Sequence, residues 1–405
     1  MLRPLKAVLD DPADLMVVAA IRGVSVAPGE AERELAGRVE DWPRLCELAA
    51  GHRAGAALAA LIRGLGALES LAPEAQRALL AAESEEFAGN LLMRARLDEV
   101  VRALNAAAVR PMLLKGALMD RCYYPPELPR GMCDLDLVVR PHDLAAAVPA
   151  LEALGYHQHR GLVAHHVTLV QGTRVVELHH AEHRPPLMRS GVYDLWDGAT
   201  ELELDGLRAM APDPMLHLLH IIVHFMMAHR METGLHPLCD LAVLTRALPL
   251  EENGHELVRL ARDTGVPGAV YWALCMAHEW LGVELPRFML DDLALREPTA
   301  SRQARLVERW FRDTLPHPFD LEFARDGLDN CRWDMVCTYP AARWRVIGHT
   351  LGRMLSLATH RTRGEVFDTF GQRLLYTIRP ERLLRIWRRL WRARRAFSGP
   401  SSERR

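Results

Sequence analysis

From the start of the chain to about Val109, apolar residues recur every three or four positions, in LMVVAAIRG, in WPRLCELAAGHRAGAALAALIRGLG and in the long PEAQRALLAAESEEFAGNLLMRARLDEVVRALNAAA. That period predicts amphipathic helices. Pro73 is placed to begin the last of them, and Gly64 and Gly66 to end the one before. The pattern then changes to short apolar runs and alternation, which predict strands. Met112 to Leu114 is one run and CDLDLVV, ending at Val139, is the next; between them lie a Lys115-Gly116 turn into a helix and a Pro-rich excursion from Tyr124 to Gly131. HDLAAAVPALEALGY reads as a helix with Gly155 as its C-terminal cap. HHVTLVQGTRVVELHH reads as two strands joined at Gln171-Gly172, and ATELELDGLRAMA as a hairpin turning at Asp205-Gly206.

Helical spacing returns at Asp213-Pro214, an N-cap followed by a proline at the first helical position. The helix they open, MLHLLHIIVHFMMAHR, is apolar all round except for a stripe of His217, His220 and His224, which predicts burial with the stripe facing a cleft or another domain. Pro237 opens another helix carrying Asp240, and the chain stays helical beyond residue 250. The expected architecture is α+β: a small mixed-sheet core over residues 109–212, an N-terminal helical region over 1–108, a C-terminal helical domain over 213–378, and a basic amphipathic helix with tail over 379–405.

Composition narrows the function classes. A chain of 405 residues exceeds one ordinary core, so two or three domains are expected. With no run of 18 apolar residues, no membrane-spanning helix is expected. Asp10, Asp11 and Asp14 precede the first apolar run, the wrong order for a secretory signal, and the 7 cysteines form no C-x-x-C pair; both features point to reduced thiols in a cytoplasm. A net charge of −2 argues against a protein built chiefly to hold nucleic acid. The basic segment 379–405 reads as a helix docked by its Leu and Trp stripe, with weak contact to an anionic surface as its other use.

The chemistry concentrates in the strands. Residues two apart on a strand lie on one face about 7 Å apart, so Asp134 and Asp136 present two carboxylates together while Leu135, Leu137 and Val139 face the other way. Such a pair invites a divalent cation. Glu177 adds a third acid on a later strand, sharing its face with Val175 and His179. Of all the basic residues only Lys6 and Lys115 are lysine, so a lysine inside this stretch stands out. Lys115 and Gly116, at a helix N-terminus, suit phosphate oxygens, with Arg130 adding positive charge. The combination predicts nucleotidyl or phosphoryl transfer assisted by Mg²⁺ or Mn²⁺, with Asp134, Asp136 and Glu177 holding the ion. His179, His224 and Asp240 are candidates for the acceptor side.

LLKG, Tyr-Pro and a following arginine, CDLDLVV, a helix ending in LGY, and VELHH together resemble the uncharacterised bacterial nucleotidyltransferases related to the minimal DNA polymerase beta-like fold, with a weaker likeness in HLLHIIVHFMMAH and PLCDLAVL. The resemblance implies Asp134 and Asp136 as the metal-binding pair, Glu177 as the third acid and Gly116 in the phosphate loop. It implies transfer of a nucleoside monophosphate from a nucleoside triphosphate (NTP) to an acceptor, in some members during polysaccharide or peptide natural-product assembly. One departure stands out: the superfamily's Gly-Gly or Gly-Ser turn is Lys115-Gly116-Ala117 here. A phosphate contact is thereby lost, so triphosphate binding must use Lys115 differently or be weaker.

Rival readings use the same residues differently. His179, His180 and His183 with His217, His220 and His224 suggest zinc, but His179 and His180 point to opposite faces of a strand and no H-E-x-x-H occurs. A catalytically silent scaffold that keeps the fold, and a toxin-like transferase acting on tRNA, are the other two.

Overall fold

The computed structural model describes residues 1–24, 26–159, 165–180, 188–189, 194–295, 299–316, 327–338 and 346. The chain opens with helices α1 (Pro12–Gly23), α2 (Glu30–Gly37), α3 (Trp42–Gly51), α4 (Gly55–Gly64) and the 34-residue α5 (Pro73–Ala106). Several of these starts have a local cause. Asp11 caps α1 by accepting from the Ala13 N–H at 2.8 Å, and Asp41 caps α3 by accepting from the Arg44 N–H at 2.9 Å. Pro12 and Pro73 sit at first helical positions, where a missing N–H costs nothing.

The α/β part follows as β1 (Met112–Leu113), α6 (Lys115–Cys122), β2 (Asp134–Val138), α7 (Leu144–Glu152), β3 (His157–Gln158), β4 (His166–Gln171), β5 (Arg174–His179), β6 (Thr200–Leu204) and β7 (Leu207–Ala211). These strands form one mixed sheet in the order β3-β4-β5-β2-β1-β7-β6. β2 runs antiparallel to β1 and parallel to β5, in a register that sets Asp136 beside Glu177 and Asp134 beside Val175. The expected alternation holds: Leu135, Leu137, Val176 and Leu178 are buried on one face with Leu97 and Val101 of α5. The acids take the other face.

The remaining helices are α8 (Pro214–Val223), α9 (His236–Ala247), α10 (Leu250–Thr264), α11 (Pro267–Leu281), α12 (Arg287–Leu293), α13 (Thr299–Thr314) and α14 (Gly327–Thr338). α8 runs on into a π turn over His224–Ala228, closed by Arg230 and Met231 in the left-handed region, φ 50° and 66°. The N-terminal and C-terminal helices share a hydrophobic core, in which Met16, Val17 and Ile21 of α1 belong to the same buried cluster as Trp272 and Leu281 of α11. His52, at the end of α3, joins the two sides: its Nδ1 accepts from the Leu235 N–H at 3.2 Å, so its Nε2 carries the proton that it donates to the Leu315 carbonyl at 2.7 Å. The architecture is thus α+β, with a mixed sheet between helical flanks. Among the described residues no helix is long and apolar enough to cross a membrane. His183 and the basic segment 379–405 lie outside the described residues.

Candidate active site

The polar face of β2 and β5 forms one wall of a cleft of about 600 Å³, and the end of α8 with its π turn forms the other. Lys115, Gly116, Asp134, Asp136, Glu177 and His179 all line it. Its centre is Asp136, only 6 % exposed. One oxygen, Oδ1, accepts from the Lys115 ammonium at 2.8 Å and lies 2.9 Å from His179 Nε2, which is itself 3.5 Å from Glu177 Oε2. Burial alone would raise the Asp136 pKa, but Lys115 and His179 outweigh it and hold the carboxyl well below its usual range. Glu177 is lowered chiefly by its hydrogen bond with His179. In His179 the two carboxylates overcome desolvation and push the imidazole pKa up. Asp134 behaves oppositely: burial and the neighbouring Asp136 charge raise it.

Lys115 is held at both ends. Its backbone adopts φ 44°, in a region that costs a side-chain-bearing residue about 1 kcal/mol or more, and its N–H donates to His217 Nε2 at 3.2 Å. His217 can accept because burial depresses its pKa to about 3 and keeps it neutral. At the other end, the Lys115 ammonium has only protons to offer, so His224 Nε2, 2.9 Å away, must accept. His229 Nε2, 3.1 Å from the same atom, must then donate. The π turn delivers these last two imidazoles, 4.3 Å apart between ring centroids, to the cleft. Of the three histidines predicted as a stripe, His224 lines the cleft and faces the Lys115 ammonium, His217 is buried and takes the Lys115 N–H, and His220 is buried and stacked on His224.

Arg130 and Asp240 also lie at the cleft but are committed to each other. Arg130 donates from Nη2 to Asp240 Oδ2 at 2.6 Å and from Nε to Oδ1 at 3.0 Å, and Tyr124 Oη donates to the same Oδ1 at 2.9 Å. The guanidinium is buried, and Asp240 keeps it firmly charged against that desolvation. It packs under the turn: a Cβ on Gly116 would fall 3.0 Å from Arg130 Nη1 and 2.8 Å from Met132 Cγ, which explains why glycine stands there. Asp120, on α6, anchors the other end of the Pro-rich loop, accepting from Arg94 Nε at 2.7 Å and from Asn90 Nδ2 at 2.7 Å.

Residues 38–282 fit the family model described as Uncharacterised nucleotidyltransferase. The chain belongs to that family. No curated protein and no solved structure matches it. Nucleotidyltransferases generally use an NTP and a divalent metal, and groups able to hold an ion exist here. Asp136, Glu177 and His179 each bring one ligand atom within 4.8 Å of the other two, and so do His165, His166 and His179. Asp134 lines the same wall of this nucleotidyltransferase cleft but belongs to neither close group. His165 and His166 carry no role in the sequence reading. The signal for them was the His-His pair at each end of HHVTLVQGTRVVELHH, because a hairpin with a tight turn puts His166 directly across from His179.

Proposed function

We propose that this nucleotidyltransferase moves a nucleoside monophosphate from an NTP to a hydroxyl or phosphate of its acceptor, with a divalent metal at the acids. The observation that carries the reading is the pairing of Asp136 with Glu177 on adjacent parallel strands, with Asp134 two residues before, on the wall of a cleft that a Lys-Gly helix start also enters. The donor set fits a cation: two carboxylates and an imidazole, from Asp136, Glu177 and His179, bring ligand atoms within 4.8 Å of one another. Asp136 and Glu177 would hold the ion, with Asp134 beside them. When bound, it supplies charge neutralisation on the phosphates undergoing in-line displacement.

The chain's own groups would do the rest. Gly116 lets the first turn of α6 approach phosphate oxygens closely, and Lys115 turns its ammonium from Asp136 toward them. Asp134, its carboxyl pushed up in pKa, is the better proton acceptor for the attacking hydroxyl. His179 and His224 border the acceptor side. Arg130 and Asp240, paired at the edge of the cleft, hold the loop beneath Gly116.

Incubation with labelled NTPs and Mg²⁺ or Mn²⁺ is expected to give metal-dependent transfer that Asp136→Asn lowers by a hundredfold or more. A second reading has one observation in its favour: the Lys115–Asp136 pair leaves the acid internally neutralised, as a silent binding module would keep it. Nucleotide binding indifferent to both metal and Asp136→Asn would replace the transferase reading with that one.

A further inference from the structure

The imidazoles next to the acids form a site of their own. His166 opens β4 and stands directly opposite His179 in the β4–β5 register, so both side chains leave the sheet on the cleft face. Adjacent residues on a strand point to opposite faces, but His165 precedes the strand and turns back onto the same side. Its carbonyl accepts from the His180 N–H at 3.0 Å, which fixes its backbone. Its ring meets His166 edge-on at 4.6 Å and stacks on His179 at 5.8 Å.

One nitrogen from each of the three lies within 4.8 Å of the other two. Nitrogens about 2.0–2.1 Å from a tetrahedral zinc ion sit about 3.4 Å apart, so modest side-chain rotations close the set onto one ion. A carboxylate completes the surroundings: Glu177 Oε1 is 3.7 Å from His166 Nε2. His166 is nine-tenths buried, and its Nδ1 has no hydrogen-bond partner. Magnesium takes oxygen ligands and binds imidazole poorly, whereas zinc, cobalt and nickel favour it.

We infer that His165, His166 and His179 bind one zinc-class transition-metal ion beside the acids, with its open coordination position turned into the cleft to take an oxygen of the acceptor. Three protein ligands with a free position make a reactive site rather than a structural one. The metal-binding part rests on imidazole geometry alone; the acceptor oxygen as occupant rests on the transferase reading.

The test uses the full chain, stripped with chelator, titrated with Zn²⁺ by calorimetry and with Co²⁺ by visible absorption, in millimolar Mg²⁺. The expected result is one ion per chain, not displaced by Mg²⁺, with an intense cobalt d–d band characteristic of low coordination number. His165→Ala and His166→Ala should each weaken Zn²⁺ at least tenfold, His166→Gln should do the same if the alanine variant folds poorly, and Asp134→Asn should change it less than threefold. Wild-type affinity in both histidine variants, or displacement by Mg²⁺, overturns the site. Mg²⁺-dependent NTP affinity is measured alongside. Zinc bound as expected without NTP binding removes the transferase reading and its acceptor role for the ion while leaving the metal site; NTP binding without zinc does the reverse.

Discussion

At the scale of single residues, the cleft is organised by charges that cannot reach water. Lys115 is the hinge of that arrangement, since one residue joins a left-handed backbone, a neutral histidine and a buried carboxylate. Replacing His217 by leucine keeps the volume roughly but leaves the Lys115 N–H without its acceptor. We expect a loss of about 1–3 kcal/mol, the desolvation cost of one orphaned polar group, read from urea unfolding. Arg130 and Asp240 give a sharper contrast. Either Arg130→Met or Asp240→Leu should cost about 3–5 kcal/mol, because each strands a buried partner, while the two combined should recover most of it. A double-mutant cycle in urea measures this, and additive losses would show that the pair is not coupled.

At the scale of elements, the sequence carried the site further than it carried the packing around it. The alternation in CDLDLVV and VVELHH was enough to put Asp134, Asp136 and Glu177 on one face, because a strand has only two faces to choose between. It was not enough to say that Glu177 would stand beside Asp136, since strand order is settled by crossovers the pattern does not contain. The ion pair of Arg130 with Asp240 was not legible either, because the two lie 110 residues apart and no local rule links them. The π turn after Val223 was equally illegible, as one inserted residue leaves the hydrophobic stripe intact. Packing between α11 and α14 offers an expectation of its own. A Cβ on Gly268 would lie 1.9 Å from the Val336 carbonyl oxygen, and backbone cannot rotate aside. Gly268→Ala should therefore cost about 3 kcal/mol or force α14 to shift, visible as a lower melting temperature.

At the scale of the whole molecule, the helices on either side of the sheet act as one body, and histidines report on its integrity. Burial lowers the His52 pKa to about 4, and His217 to about 3. Unfolded, both would titrate near about 6.5, so between that value and the folded ones the unfolded chain holds more protons and stability rises with pH. Urea midpoints should accordingly fall as pH is lowered from 7 to 5, each histidine contributing up to about 1.4 kcal/mol per pH unit. His52→Gln should flatten that slope, whatever it does to stability at pH 7.

The shared core also bears on how the protein is made. All three acids are synthesised by residue 177, yet the imidazoles that seat Lys115 begin at His217, and the helices that bury Met16 and Ile21 arrive later still. A nascent chain halted after the sheet would own these three carboxylates but lack the wall that encloses them. Closure of the cleft is thus deferred until translation has passed well beyond its three strand acids, and a fragment ending at 212 should be inert however well its strands pair.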